Sequence, residues 1–386
     1  MGDQPRSFGR KAAKVFLWIL IVLLALPVLG VGYGIAKRGL HQQEYLSYPF
    51  PQIPVVLPRD FAAHPDFKNE WWYYTGHLTG ADGRRYGFEL TFFRIRTVNM
   101  WHKHVPVWWF MYPHGLVAHL AISDKTNKMH YAIDVLQKNS KDNVGAATDA
   151  YHVWLRDWYV KAEGAKHHLV ASDGRIGVDL VFEPQKPPTL HGEHGYHWKG
   201  VDGIPSYYIS FTRMEGGGTI TLNGRSSPVT GLAWMDHEYS SFRPKQTTQG
   251  WDWFAIQLDN RREVMLYQMR RRDGSVSTDS TGTLVEPDGA SRSIIMPEYQ
   301  IRSTGSWTSP TSHGQYPMGW TITLPNVPAE LTVTPSFEAQ EMVMDLSDIT
   351  YWEGACDVRG TWAGRPVTGL AYTELTGYTQ PVAERF

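Results

Sequence analysis

The sequence predicts an all-β fold, and two features of the chain after residue 60 lead to this prediction. Helical periodicity is scarce there, whereas short runs rich in aromatic and β-branched residues are typical of strands. Asp-Gly or Asn-Gly pairs recur between such runs, at positions 82–83, 173–174, 202–203, 223–224, 273–274 and 288–289. These pairs favour the tight turns of hairpins. We therefore expect a meander of antiparallel strands that is closed or stacked so that its edges are removed.

The clearest predicted hairpin lies at the start of this β-rich body. Residues 71–79 (WWYYTGHLT) and 86–97 (YGFELTFFRIRT) flank the Asp82-Gly83 pair. Successive side chains of a strand point to opposite faces. In the second strand, one face is then formed by Tyr86, Phe88, Leu90 and Phe92, and the other carries Glu89 and Thr91.

Composition excludes several classes of protein. The chain has 386 residues, a net charge of −1 and an aromatic share of 13%, so nothing suggests a nucleic-acid partner. The single cysteine, Cys356, can form neither an intramolecular disulfide nor a cysteine-based zinc site. No Walker A loop, no strand-linked G-x-G-x-x-G, no G-x-S-x-G and no H-E-x-x-H is present. We therefore expect no cofactor and no metal.

The N-terminal part predicts a membrane anchor. Residues 15–36 form an uncharged apolar run of 22 residues, long enough to span a bilayer as a helix. The basic segment 1–14 is expected to stay in the cytoplasm. A Pro-rich spacer, 37–59, would then lead to a body on the periplasmic or extracytoplasmic side of the cytoplasmic (inner) membrane. The alternatives are a cleaved signal peptide and a buried core helix.

An internal repeat divides the body into two β-units. The hexapeptide PVTGLA occurs at 228–233 and again at 366–371. At the same offset Trp234 matches Tyr372 and Asp236 matches Glu374. A looser echo pairs Trp72-Tyr73 with Trp253-Phe254. Two copies of one unit are the simplest explanation, the first at 60–243 and the second at 244–386.

Four motifs give the body a family resemblance. They are NEWWYY at 69–74, GLAWMDHEY at 231–239, GWDWF at 250–254 and the C-terminal YWEG…GRPVTGLAYTELTGY. Together they resemble the AttH/CrtC group, which includes carotenoid 1,2-hydratases (hydroxyneurosporene synthases) and kievitone hydratase. The resemblance implies two lipocalin-like antiparallel β-barrels in tandem, preceded here by the transmembrane helix, and an apolar ligand. Some members of the group look like companions of export-type ABC transporters.

The best candidate for chemistry is the segment 233–239. Strand alternation places Trp234, Asp236 and Glu238 on one face and His237 on the other. A buried carboxylic acid with a raised pKa can protonate an alkene carbon, and an aromatic face can stabilise the cation that forms. The second carboxylate would act as base towards water. The candidate catalytic residues are therefore Asp236, Glu238 and His237, and the alternative is structural pairing with arginines such as Arg94.

The candidate ligand-binding residues are aromatic or lie in the repeat. They are Trp234, Trp72, Tyr372, Glu374 and Trp253. Glu374 either faces a cavity between the units together with Asp236 or completes its own barrel, and the second arrangement is favoured. Glu70 is expected to support the structure as a partner of Arg94.

The histidine-containing segments indicate a function less specifically. His191, His194 and His197 form H-x-x-H-x-x-H, which can bind a divalent metal if the loop folds back, but nothing in the sequence fixes their geometry. The aromatic loop at 101–112 is predicted to be a lid or a membrane contact. His119, in a strand-like run, is expected to be a satisfied core histidine.

Two functions fit these features, and binding is favoured. A tethered lipocalin-like protein would bind or transfer a lipid or isoprenoid outside the cytoplasm, with an ABC transporter as a partner. The alternative is a hydratase that adds water to an isoprenoid C=C bond by acid catalysis. A third option is an interaction module whose interiors are filled by Trp and Phe.

Overall fold

The computed structural model describes residues 53–96, 114–138, 143–198, 206–241, 245–278 and 280–382. The predicted anchor, the spacer up to residue 52 and the aromatic loop at 101–112 lie outside these residues. No helix in the described part of the chain is long and apolar enough to cross a membrane. One short 3-10 helix, Arg59–Phe61, precedes the first strand.

A first sheet contains thirteen strands. They are β1 (Asn69–Gly80), β2 (Arg85–Arg96), β3 (His114–Asp124), β4 (Met129–Lys138), β5 (Val144–Ala146), β6 (His152–Leu155), β7 (Trp158–Glu163), β8 (Lys166–Ser172), β9 (Ile176–Pro184), β10 (Thr189–Leu190), β11 (Tyr196–His197), β12 (Ser206–Leu222) and β13 (Arg225–Ser240). Their order is β4-β3-β2-β1-β13-β12-β9-β8-β7-β6-β5, with β10 and β11 also paired to β12. This sheet curls into a nearly closed barrel.

A second sheet contains ten strands. They are β14 (Thr248–Leu258), β15 (Glu263–Arg271), β16 (Thr281–Val285), β17 (Ser291–Ile295), β18 (Gln300–Thr308), β19 (Gln315–Leu324), β20 (Ala329–Pro335), β21 (Glu341–Met344), β22 (Ile349–Trp362) and β23 (Arg365–Leu375). Their order is β17-β16-β15-β14-β23-β22-β20-β19-β18, with β21 paired to β22. The prediction of an all-β fold is confirmed, and the prediction of two barrels is confirmed only for its coarser part, a nearly closed barrel followed by a second sheet.

The predicted hairpin is present as β1 and β2, which pair antiparallel around the Asp82-Gly83 turn. Gly83 has a φ of 80°, a conformation that glycine adopts without steric cost. The predicted faces are also confirmed, since the first core contains Tyr86, Phe88, Leu90 and Phe92. Glu89 and Thr91 point the other way, yet they are buried as well, because the second sheet covers that face.

Each sheet has its own apolar core. The first is built around aromatic rings that include Trp72, Tyr74, Phe88, Phe92 and Phe182. The second contains Phe254, Tyr316, Trp320 and Trp352. Burial of these side chains is the main driving force for folding. Both interiors are thus occupied by the protein's own side chains around these rings.

The outer faces of the two sheets meet where the repeat motifs lie. A Cβ atom added at Gly87 of β2 would come within 2.6 Å of the Ala355 Cβ of β22, so the sheets approach too closely there for any larger residue without movement. Farther along the same two faces the sheets separate. The space between them is where the candidate site lies.

Candidate functional site

A cleft with a volume of about 160 Å³ opens between the two sheets. One water needs about 10–15 Å³ by the same measure, so the cleft has room for an organic molecule. Its walls are largely aromatic and include Trp71, Tyr73, Tyr208, Trp251, Trp253 and Tyr267. Three carboxylates reach the same space, those of Asp236, Glu238 and Glu374. The cleft therefore combines apolar walls with a few acidic groups, as ligand sites commonly do.

Asp236 is held in the cleft by three hydrogen bonds. Its Oδ1 accepts from the Ser210 hydroxyl and, at 2.7 Å, from Trp234 Nε1. Its Oδ2 accepts at 2.7 Å from the Tyr208 hydroxyl, which itself accepts from Trp253 Nε1 at 3.1 Å. Arg94, the alternative partner suggested by the sequence, pairs with Glu70 instead at 2.9 Å. Asp236 is therefore positioned by neutral donors.

The surroundings of Asp236 favour its protonated form. Burial raises the pKa of the carboxyl to about 7, and the nearby charge of Glu238 adds to the rise. The hydrogen bonds from Ser210, Tyr208 and Trp234 oppose this rise but do not cancel it. A carboxylic acid with a pKa near neutrality can hold a proton and transfer it at working pH.

Glu238 and His237 lie on opposite faces of β13, as strand alternation predicts. Glu238 lines the cleft two residues from Asp236. His237 points to the interior side, where it stacks on Trp72 with ring centroids 5.0 Å apart and contacts Glu70 Oε1 at 2.9 Å. The structure therefore brings Asp236 and Glu238 together and places His237 away from them.

Glu374 corrects one prediction. It does not merely complete its own sheet, because its side chain lines the same cleft as that of Asp236. Trp251 Nε1 donates to Glu374 Oε2 at 2.8 Å and holds it on the wall formed by the second sheet. The prediction that Glu374 completes its own barrel was wrong, because the acidic residues of β13 and of β23 both face the junction of the two sheets. The position of that junction cannot be read from the sequence.

Two further carboxyls lie buried between the sheets, Glu89 and Glu353. Burial first, and then the charge of Glu374, raises the pKa of Glu353 well above its ordinary value, and the same two causes raise the pKa of Glu89. Tyr73, a residue of the cleft wall, donates to Glu353 Oε1 at 2.5 Å. Burial at the junction beside the cleft therefore disfavours the ionised forms of Glu89 and Glu353.

The four predicted ligand-binding aromatic residues occupy different places. Trp253 lines the cleft. Trp234 lies just behind it and packs edge-on against Trp253, with ring centroids 6.1 Å apart. Tyr372 is buried between the sheets near Gly87, and Trp72 belongs to the first core. Trp72 is therefore on the face of β1 that points away from the cleft.

The strand register explains why Trp72 does not match Trp253. Tyr73 pairs with Asp236, whereas Trp253 pairs with Glu374. The residue equivalent to Trp253 is thus Tyr73, one position beyond the one that the sequence echo suggests. A slip of one residue moves a side chain to the other face of a strand.

Two histidines of the H-x-x-H-x-x-H segment, His191 and His197, form hydrogen bonds with side chains around the site. His191 Nε2 lies 2.7 Å from Ser210 Oγ, and its Nδ1 lies 2.8 Å from Thr283 Oγ1. Since Ser210 donates to Asp236, it accepts from His191 Nε2–H, and Thr283 donates to Nδ1. His197 Nε2 lies 2.6 Å from Thr281 Oγ1 on the same strand. These histidines therefore link β16 to the strand that orients Asp236.

His119 and Glu70 fulfil their predicted structural roles. His119 is fully buried, and its nitrogens lie 2.9 Å from the Tyr351 hydroxyl and 3.2 Å from Ser347 Oγ. Burial lowers its pKa to about 3, so it is neutral at ordinary pH. Its ring also forms part of the cleft wall.

The sequence did not indicate several residues of the site. Tyr208, Ser210 and His191 surround Asp236 although they lie 26 or more positions away along the chain. The one available signal was the alternation of Tyr208 and Ser210 with Ile209 and Phe211 in the strand that begins at Ser206. That alternation indicates a polar face but not what it faces.

The fold and the site together define a lipocalin-like protein with an acid-containing cleft between its sheets. The family model described as AttH-like matches residues 48–378, and the chain belongs to this family. No curated protein matches the chain significantly.

Solved structures extend the comparison. A crystal structure of an AttH candidate from Nitrosomonas europaea is 29% identical with a TM-score of 0.75, and the match covers 86% of this chain and 98% of that one. Kievitone hydratase from Nectria haematococca is 12% identical with a TM-score of 0.67, covering 85% and 94%. CghA is 12% identical with a TM-score of 0.52, covering 86% and 96%. At 12% identity the last two show a shared fold alone.

Proposed function

We propose that the protein binds an apolar, unsaturated organic molecule between its two sheets and adds water to a C=C bond of that molecule. The observation that carries this proposal is the buried Asp236 carboxyl, whose pKa is raised to about 7 at the wall of an aromatic cleft. A simple carrier of lipids would have no use for a carboxylic acid that is ready to donate a proton at neutral pH. The likeness of fold to kievitone hydratase supports the proposal without carrying it.

Binding comes from the walls of the cleft. Burial of apolar surface contributes roughly 25 cal/mol per Å² removed from water. The rings of Trp251, Trp253 and Tyr267, all from the second sheet, offer such surface opposite Asp236 of the first sheet. A flat isoprenoid or prenylated aromatic substrate would place its double bond between the two walls.

Proton transfer from Asp236 begins the reaction. Oδ2 accepts one hydrogen bond, from the Tyr208 hydroxyl. Its second lone pair can therefore carry the acidic proton that is transferred to a substrate in the cleft. The π electrons of the alkene form a C–H bond with that proton, and the O–H electron pair stays on the carboxylate. The adjacent carbon becomes a carbocation, which the faces of the neighbouring aromatic rings stabilise.

Addition of water completes the reaction. The oxygen of a water molecule forms a C–O bond to the cation, and Glu238 takes the proton that this oxygen releases. The product is a tertiary or secondary alcohol. Proton exchange with solvent then returns Asp236 to its acid form and Glu238 to its carboxylate, so the protein is unchanged over one turnover.

The test follows the oxygen atom. The full-length protein, purified in detergent, is incubated with prenylated aromatics and linear isoprenoids in H₂¹⁸O, and products are analysed by mass spectrometry. We expect ¹⁸O-labelled alcohol from wild type and at least about 100-fold less of it from Asp236→Asn. Asp252→Asn is the matched control, because Asp252 of β14 is similarly buried but its carboxylate is paired with Arg270 of β15. Labelled product from Asp236→Asn at the wild-type rate would refute the role of Asp236.

Binding or transfer without chemistry is the second candidate. It is favoured by the dominance of aromatic groups in the cleft wall and by the apolar run at 15–36. In this case the run tethers the body outside the cytoplasmic membrane, and an ABC transporter is the partner that delivers or accepts a lipid or isoprenoid. Quenching of tryptophan fluorescence by isoprenoids, without formation of labelled alcohol, would favour this candidate.

The tether itself is tested separately. Membranes from cells that express the full chain are washed with alkaline carbonate, which removes peripheral proteins. We expect the chain to stay in the pellet, and a chain lacking residues 1–36 to appear in the soluble fraction. Retention of the shortened chain would show that another part of the protein holds it to the membrane.

A further inference from the structure

A second cluster of chemically active side chains lies on the other face of β1 and β13. Glu70 Oε1 is 2.9 Å from His64 Nδ1 and 2.9 Å from His237 Nε2. The three atoms that these residues offer lie within 4.8 Å of one another. Glu70 and His237 are fully buried, whereas the side chain of His64 is 18% exposed. The cluster is therefore closed towards the protein and open on the His64 side.

We propose that His64, Glu70 and His237 form a site for a divalent transition-metal ion of the Zn²⁺ type. Imidazole nitrogen and carboxylate oxygen are ligands that Zn²⁺ prefers, and two histidines with one glutamate are a known donor set for it. A tetrahedral Zn²⁺ with bonds of about 2.0–2.1 Å separates its ligand atoms by roughly 3.3 Å. The observed separations of 2.9 Å need to widen by only a few tenths of an ångström.

The surroundings already orient two of the three ligands. Arg94 Nε donates to Glu70 Oε2 at 2.9 Å, which leaves Oε1 directed at both imidazoles. Asp60 Oδ1 lies 3.5 Å from His64 Nε2, the nitrogen that would not bind the ion. Asp60 is itself held by Arg59 and by the backbone N–H of Val56. A carboxylate on the outer nitrogen of a histidine ligand is a common feature of zinc sites and strengthens ion binding.

Binding of the ion would require a change of tautomer at both histidines. In the metal-free form, His64 Nδ1–H and His237 Nε2–H both donate to Glu70 Oε1. If the ion took these two nitrogen lone pairs, each ring proton would move to the outer nitrogen of its ring. The outer nitrogen of His64 then donates to Asp60. A water molecule from the His64 side would complete the coordination.

An ion bound at this site would restrain the segment before β1. His64 belongs to the segment before β1, and His237 lies on β13, the strand whose other face carries Asp236. An ion shared by the two would clamp that segment to the strand. This role is independent of the reaction proposed for the cleft, because the ion would lie on the opposite face of the sheet.

The test uses tag-free, full-length protein in detergent after removal of metals with EDTA. We expect Zn²⁺ to bind with a stoichiometry of one per chain in calorimetry and to raise the melting temperature. Co²⁺ should give the absorption bands of a four-coordinate site with nitrogen and oxygen ligands. His64→Asn should abolish both signals, and Asp60→Asn should weaken Zn²⁺ binding by about 10- to 100-fold.

Matched controls separate ligation from general stability. His152→Asn changes another half-buried histidine that stacks on an aromatic ring, that of Trp154. Glu263→Gln changes another fully buried glutamate held by basic groups, Lys186 and Arg213. Both controls should bind Zn²⁺ as wild type does. The site is refuted if wild type binds no Zn²⁺, or if His64→Asn and Asp60→Asn, shown to be folded by circular dichroism, bind it with unchanged affinity.

Discussion

The Tyr73 hydroxyl donates a 2.5 Å hydrogen bond to Glu353 Oε1 and so joins β1 of the first sheet to β22 of the second. Both groups are buried, and Tyr73 also forms part of the cleft wall. Within the described part of the chain, the other oxygen of Glu353 has no hydrogen-bond partner. The buried carboxyl of Glu353 therefore depends on Tyr73 for its hydrogen bond across the junction of the sheets.

Tyr73→Phe should destabilise the protein by about 1–3 kcal/mol, because the carboxyl of Glu353 would lose its hydrogen-bond donor while remaining buried. Urea unfolding measures this loss. Tyr159→Phe is the control, since the Tyr159 hydroxyl makes only a 3.4 Å contact with His168 near the surface. We expect the control to change stability by less than about 0.5 kcal/mol. Equal losses in the two variants would contradict the special role of Tyr73.

The stability of the protein should depend on the proton of Asp236. Its pKa rises from 3.8 to about 7 on folding, so between these values the unfolded chain has lost this proton and the folded chain retains it. The contribution of this group is therefore fully present below pH 4 and is lost as the pH rises through 7. Asp236→Asn should gain stability relative to wild type by roughly 2–4 kcal/mol between pH 4 and pH 8.

Urea unfolding of both proteins over that pH range measures this gain. Asp149→Asn, a change at an exposed aspartate, should follow wild type at every pH. A constant difference between wild type and Asp236→Asn from pH 4 to pH 8 would show that the carboxyl does not retain its proton in the folded state.

The rate of hydration should fall when Asp236 loses its proton. With an acid of pKa about 7, kcat/KM is expected to decrease about tenfold per pH unit above 7. Asp236→Asn should reduce kcat by roughly 10²- to 10⁴-fold, the usual contribution of a general acid, while substrate still quenches tryptophan fluorescence. A rate that increases with pH would instead indicate a carboxylate base.

His191 should tune the acid without touching the substrate. It orients the Ser210 hydroxyl towards Asp236 Oδ1, and that hydrogen bond favours the ionised carboxylate. His191→Leu should therefore move the pKa of Asp236 upwards, as measured by carbon NMR of the labelled carboxyl. His197→Leu changes a histidine that bonds to the same strand at Thr281. An equal movement of the pKa in both variants would show that the effect is not transmitted through Ser210.

Local features were predictable from the sequence because they depend on neighbouring residues. The Asp82-Gly83 turn fixes the first hairpin, and strand alternation alone separates Asp236 and Glu238 from His237. Glu70 was correctly paired with Arg94 because both charges are placed at matching ends of the same hairpin.

The arrangement between distant strands was not predictable. Asp236 obtains its hydrogen bonds from Tyr208 and Ser210 of β12, and no pattern in the chain states which strand will lie beside β13. The alignment of Trp72 with Trp253 was wrong by one residue. In an aromatic run such as WWYY, adjacent residues are too similar to show which of them points to which face of the strand. The cleft itself depends on how two sheets pack, which is a property of neither sheet alone.

Strands β13 and β23 contribute to the cleft in matching ways. Each carries the PVTGLA sequence, and each contributes one acid, Asp236 or Glu374, to the same space. A shorter chain with a single such unit would build the same space only by pairing with a second copy of itself about a two-fold axis, with two identical acids facing each other. Within one chain, by contrast, each wall can change independently of the other. One wall then carries an aspartate held by a tyrosine and a serine, and the other a glutamate held by a tryptophan.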